Sequence, residues 1–271
     1  MSEADVIART PTPRTRESLA HDLQALGLAP GMTVLVHSAL SKLGWVSGGP
    51  VAVVEALLDV LTPDGTLVMP AHSGDFSDPA HWRNPPVPPD WVPIIQATMS
   101  AYDPRTAPTR GMGRIVETFR TWPGVRRSDH PITSFCAWGR HAAAITDDHA
   151  LDNSLGETSP LARIYDLDGS VLLLGVGHGN NTSFHLAEYR ASRRTPSSNA
   201  SPVLEHGRRV WKSYQDIVID DGPFEALGAD FEQTGQARVG LVGSATARLF
   251  PQRPAVDFAV RWLDERAAQQ G

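Results

Sequence analysis

A single cysteine, Cys136, stands among the 271 residues. No intrachain disulfide can therefore form, and a thiolate zinc cage is excluded with it. Long apolar runs are also missing. No stretch reaches the length that a membrane-spanning helix needs, and the opening "MSEADVIARTPTPRTR" lacks the apolar centre of a secretory signal. Basic residues are few: 24 Lys and Arg against 30 Asp and Glu leave a net charge of -6. That balance argues against nucleic acid as a partner and suits a cationic small molecule. Neither a P-loop nor an H-E-x-x-H motif occurs, and the chain has no internal repeat and no low-complexity tract. The expectation is a cytoplasmic enzyme or binding protein with no membrane partner.

What is present is globular, with 41% hydrophobic and 20% charged residues. Residues 1–13 read as a flexible arm. "TRESLAHDLQALGL" has helical spacing, with Thr15 as its cap. "TVLVHS" and "TLVMP" read as strands on either side of the helix "GPVAVVEALLDVL", which implies a βαβ unit and a parallel sheet. Residues 71–110 are rich in Pro, Trp, His and Asp. A loop of that length in a compact domain is usually functional, and Phe76, Trp82 and Trp91 argue that it is ordered. Further on come the helix "GMGRIVETFRTW", the strand "SFCAWG", the buried strand "SVLLLGV", the helix "NNTSFHLAEYRAS" and a hairpin turning at His206-Gly207. A helix, the strand "ARVGLVG" and a C-terminal helix finish the chain. The expected fold is one α/β domain with a mixed central sheet flanked by helices.

Three stretches carry candidate chemistry. In "GVGHGNNTSFHLAEYR" the glycines resemble a dinucleotide-binding turn, but Asn180 stands where G-x-G-x-x-G needs its third glycine. His185 and Glu188 are three apart on one helical face, yet a catalytic zinc needs about three converging ligands. The remaining functional reading makes His185 a general base, aimed at the sheet edge where open α/β sheets bind ligands. Its bland alternative is a buried histidine bonded to a backbone carbonyl. The second stretch, "VLVHSALSKLGWVSGGP", offers hydroxyls and a helix N-terminus of the kind a pyrophosphate uses. Such turns are also Ser/Gly-rich for backbone reasons alone. In the third, Arg110, Arg126 and Arg127 surround a Ser128-to-Pro131 turn and could answer phosphate charge, or merely be solvated.

Together "VLVHSALSKLGWVSGGP", "GTLVMPAHSGDFSDP", "RRSDHPITSFCAWG", "SPLARIYDLDGSVLLLGVGHGNNTSFHLAE" and "RVWKSYQDI" resemble the aminoglycoside 3-N-acetyltransferase family. The resemblance covers nearly the whole chain and is most specific around "NNTSFHLAE". It implies acetyl transfer from acetyl-CoA, without a metal, to an aminoglycoside or similar polyamine, at the 3-amino group of the 2-deoxystreptamine ring. His185 falls on the family's catalytic histidine and Asp216 on its carboxylate partner. The CoA-binding turn falls on His37, Ser38, Leu40, Ser41, Gly44, Val46 and Ser47, with Arg110, Ser128 and His130 contributing. Substrate contacts fall on His72, Asp75, Glu188 and Asp216. His72 stands where many members carry a bulkier residue, which bears on the substrate accepted. The oxyanion donor is left open between the Ser38 turn and the Ser128-to-Ser134 region. Cys136 reads as a core residue, so direct transfer is expected rather than an acyl-enzyme. The alternatives are an acetyltransferase for another amine and a non-catalytic CoA-binding relative.

Overall fold

In the computed structural model, which describes residues 2–269, the chain opens with α1 (Glu3–Ala8), α2 (Arg16–Leu26), β1 (Thr33–Ser38), α3 (Gly49–Leu61) and β2 (Thr66–Pro70). It continues through α4 (Val92–Thr98), α5 (Gly113–Arg120), β3 (Arg126–Arg127), β4 (Phe135–Gly139), α6 (Ala142–Thr146), α7 (Pro160–Asp166), β5 (Ser170–Leu174) and α8 (Ser183–Arg190). It ends with β6 (Pro196–Glu205), β7 (Arg208–Ile217), α9 (Phe224–Glu232), β8 (Arg238–Val242), β9 (Ala245–Pro251) and α10 (Gln252–Gln269). Local chemistry explains several boundaries. Thr15 and Ser18 form a reciprocal capping box at the start of α2. Pro50 sits in the first turn of α3, where its missing N–H leaves no bond unmade. His206 and Gly207 both have positive φ, as a two-residue hairpin turn requires.

Seven strands form one sheet in the order β3-β4-β2-β1-β5-β9-β8, and β6 and β7 form a separate ribbon. β2, β1 and β5 are parallel, while β4 and β9 run antiparallel on either side of them. The fold is thus α/β with a mixed sheet. Helices cover both faces. On β1, Val34 and Val36 face the layer of α2, α3 and α5, whereas Leu35 faces the layer of α7, α8, α9 and α10. Alternation along the strand then turns His37 toward the layer that holds α8, and Ser38 toward that of α3 and α5. Both lie at the carboxyl edge of the parallel strands, where open α/β sheets bind ligands.

Three expectations are corrected. The proposed flexible arm is helical: Ser2 and Asp5 cap α1 reciprocally, and Glu3 accepts a hydrogen bond from the Trp45 indole at 3.2 Å. The hydroxyl of Thr10 anchors the following turn by accepting from the amide of Trp45. The segment 71–110 is not one loop; it holds three short 3-10 turns and α4. Arg127 ties it down by donating to Ala71 O at 2.6 Å and Ser73 Oγ at 2.7 Å. Finally, β9, which is absent from the sequence reading, fills the sheet position between β5 and β8.

Candidate active site

His185 lies on the first full turn of α8 and is largely buried. Its Nδ1 lies 2.6 Å from Oε2 of Glu188, one helical turn on. The other carboxylate oxygen, Oε1, accepts the amide of Asp220 at 2.8 Å. The carboxylate is therefore held from two sides, and its contact with Nδ1 selects the tautomer that leaves the lone pair on Nε2. Asn181 Oδ1 accepts the amide of Ser183 at the start of the helix. The Phe224 ring packs against the imidazole, with centroids 4.8 Å apart. His185 thus opens onto a cavity of about 210 Å3 at the sheet edge, which it shares with His37, His72, Asn180 and Asp221.

His37 and His72 are neutral neighbours of His185. Burial, and then the charge that His185 can carry, push the pKa of His37 down to about 3. The same two causes, in that order, push His72 down to about 3. Neither His37 Nε2 nor His72 Nε2 has a hydrogen-bond partner among the described residues. Although three histidines share the cavity, no group of three metal-ligating side chains converges among the described residues.

A second cavity of about 500 Å3 adjoins the first, within the range of about 300–1,000 Å3 usual for ligand pockets. Ser38, Leu40, Ser41, Gly44 and Val46 all line it. The N-termini of α3 and α5 also line it, through Gly49, Met112 and Gly113, and neither helix has a side-chain cap. Gly49 N–H of α3 is bonded to Val46 O and Pro50 has none, so the first-turn N–H groups of α5 and Arg114 are what give this cavity donors and positive field of the kind a phosphate uses. Glu3 and Val6 of α1 contribute to the wall.

Other sequence candidates lie elsewhere. Asp216 does not touch His185. Its carboxylate accepts from Tyr189 Oη and Ser154 Oγ, each at 2.5 Å, and from the Ile217 amide at 2.9 Å. The β7 strand points it into this buried polar cluster instead of toward the base. Glu188, expected to face substrate, is engaged by His185 and Asp220. Ser128 is buried and accepts the Phe135 amide, with His149 Nδ1 3.0 Å from the same oxygen. His130 is also buried, and its Nδ1 accepts from Ile132 and Thr133. Neither Ser128 nor His130 lines either cavity. Arg110 is paired with Asp75 on the exposed surface. The Ser47 amide bonds Arg14 O, and its side chain is exposed. Arg126 pairs with Asp147, so it and Arg127 both have protein partners. Cys136 is fully buried on β4, where burial pushes its thiol up to about 12.

The sequence reading missed Gly111, Met112, Arg114, Asp221 and Phe224 as lining residues. Gly111 carried a signal. It has φ of +73°, and open space where a Cβ would stand, so the backbone itself forms the wall. The pairing of His185 with Glu188 was also signalled, by their i, i+3 spacing on a helix.

The profile of the family described as aminoglycoside 3-N-acetyltransferase matches residues 35–264. The chain is 49% identical over 259 residues to the SPbeta prophage-derived aminoglycoside N(3')-acetyltransferase-like protein YokD of Bacillus subtilis (strain 168), with 95% of each chain covered. The crystal structure of YokD superposes with a TM-score of 0.97 at 47% identity, covering 98% of both chains. Aminoglycoside N(3)-acetyltransferase VII of Streptomyces paromomycinus is 38% identical over 293 aligned positions, covering 100% of this chain and 98% of that one. A structure described as AAC-IIIb binary with CoASH matches with a TM-score of 0.84 at 32% identity, covering 94% of this chain and 98% of that one. With the profile spanning most of its length and these relatives aligned end to end, the chain belongs to the aminoglycoside 3-N-acetyltransferase family and is an acetyltransferase.

Proposed function

We propose that the protein transfers the acetyl group of acetyl-CoA to the 3-amino group of the 2-deoxystreptamine ring of an aminoglycoside, with His185 as general base. The observation that carries this reading is the His185–Glu188 pair, which opens onto one cavity while an adjoining cavity presents the N-terminus of α5 and Arg114, groups that suit a phosphate. The larger cavity suits CoA: the N-terminus of α5 and Arg114 for the diphosphate, and apolar walls from Leu40, Val46 and Ile115 for the pantetheine arm. The solved binary structure of AAC-IIIb with CoASH supports the same donor. Asp221, on the wall of the smaller cavity, and the acidic balance of the chain suit a polycationic acceptor.

An ammonium cannot attack a thioester. One proton therefore leaves to solvent first; as the neutral amine nitrogen then bonds to the thioester carbon, Nε2 of His185 takes a second proton from it, and Glu188 stabilises the imidazolium through Nδ1. The C–S bond then breaks, and CoA leaves as a thiolate, to which the imidazolium returns the proton. No covalent enzyme intermediate is needed, and the buried, protonated Cys136 is not available to form one. Modification of the 3-amino group would remove a positive charge from the antibiotic, which is the basis of a resistance function.

Thiol release from acetyl-CoA in the presence of aminoglycosides tests the reading. Acceptor-dependent release, with N-acetylated product identified by mass spectrometry, is expected. Tight CoA binding without turnover on any amine would instead indicate a binding protein.

A further inference from the structure

Acetyl transfer passes through a tetrahedral carbon whose oxygen carries negative charge, and a donor aimed at that oxygen accelerates such reactions. The acetyl carbonyl has to lie where the two cavities meet, because the thioester enters from one and the amine from the other. Ser38, Gly111 and Met112 are the residues that line both. Of these, Ser38 alone carries a hydrogen-bond donor on its side chain. Its hydroxyl is sheltered from solvent and has no hydrogen-bond partner among the described residues. Ser128, the other hydroxyl that the sequence left open, is already bonded to Phe135 N and lines neither cavity.

We infer that Ser38 donates its hydroxyl hydrogen to the acetyl carbonyl oxygen and stabilises the oxyanion, an inference that rests on the CoA-dependent reading above. The strand sets this position. Alternation along β1 sends His37 toward the base and Ser38 toward the α3–α5 layer, so adjacent residues face the amine side and the thioester side. One rotatable bond is enough to turn the Ser38 hydroxyl into the seam. As the amine attacks, the C=O π pair moves onto oxygen, and Ser38 keeps its proton while sharing it with that oxygen. The pair returns when the C–S bond breaks and thiolate departs. Among the described residues no backbone carbonyl accepts the N–H of Gly111 or Met112, and their position at the same seam allows them to assist.

Ser38→Ala and Ser38→Thr test the assignment. Ser38→Ala should lower kcat by about 100- to 1,000-fold, the usual effect of removing one such donor. Its Kd for CoA, which lacks the carbonyl, should change by less than about threefold, and Ser38→Thr should restore part of the rate. A kcat within threefold of wild type, or a loss of CoA affinity that matches the loss of rate, would overturn the inference. A second measurement needs no turnover. With acetyl-CoA labelled at the carbonyl carbon, the C=O stretch should drop on binding to the wild type and return toward its solution value in Ser38→Ala. An unchanged stretch between the two proteins rejects the role of Ser38 and leaves the CoA reading intact. Failure of acetyl-CoA to bind the wild type rejects both.

Discussion

Deleting the base should separate chemistry from binding. His185→Ala is expected to lower kcat by about a hundredfold or more, with CoA affinity nearly unchanged, because His185 does not line the larger cavity. Glu188→Gln removes the charge that steadies the imidazolium and offers Nδ1 an amide in its place. Its rate should also fall steeply, and the double variant should be no slower than His185→Ala, since residues that act as one unit are non-additive. Steady-state rates of the three proteins check this; multiplying losses would mean that Glu188 serves elsewhere. Asp216 should behave differently. Its carboxylate is an acceptor in a buried cluster with Tyr189 and Ser154, so Asp216→Asn is expected to cost about 1–3 kcal/mol of stability. The expected kcat stays within about tenfold of wild type. Thermal unfolding beside kinetics decides, and a hundredfold loss of rate at unchanged Tm would return Asp216 to the chemistry.

Elements differed in how plainly the sequence announced them. α2, α3 and the first βαβ unit could be read because capping residues and apolar spacing agree over a dozen residues. β9 could not be. In "ATARLFP" the core-facing positions include the small Ala245 and Ala247, so the apolar alternation that marks a strand is weak. Its strand identity comes from pairing with β5, which is distant in sequence, and with β8, which it follows. The arm was misread for the opposite reason: α1 has no buried residue and is held by a cap and by Trp45. At the site, His185 and the Ser38 turn, which the family resemblance singled out, line adjoining cavities at the sheet edge. The sequence could not show which carboxylate touches His185, because the distances from it to Asp216 and Glu188 are fixed only by the fold. Packing between elements also shapes the site from behind. The turn at 178–180 lies against α9, where a Cβ on Gly228 would stand 1.9 Å from the His178 ring. Gly228→Ala should therefore push this turn outward, destabilise the fold by about 1–3 kcal/mol, and raise the acceptor KM through Gly179 and Asn180, which line the smaller cavity. Denaturant unfolding and acceptor titrations check both effects; a variant as stable as wild type would show that α9 yields at no cost.

For the whole molecule, the buried histidines set the acid limit of stability. Burial is the first cause that pushes His37 down to about 3 and His149 to about 4, and that holds His130 well below the ordinary histidine value. In the unfolded chain each would titrate near 6.5. The folded state therefore binds fewer protons than the unfolded state between those values, and stability rises with pH across that window. The contribution is complete above about pH 6.5 and is lost as pH falls toward the folded values. At pH 5 each such group should cost about 2 kcal/mol relative to neutral pH. Carboxylates do not obscure this range. Glu117 and Glu232 are held below their ordinary value of 4.5, so the stability that they supply is lost only at lower pH. Three buried histidines acting together amount to a large share of the roughly 5–15 kcal/mol that holds a typical domain. The expected result is a Tm that is flat above about pH 7 and falls steeply between pH 6.5 and 5, with activity lost irreversibly only where Tm approaches the assay temperature. Calorimetry at fixed ionic strength across that range measures it. A Tm constant down to pH 5 would mean that the interior takes up protons as readily as the unfolded chain, contrary to the burial of these rings.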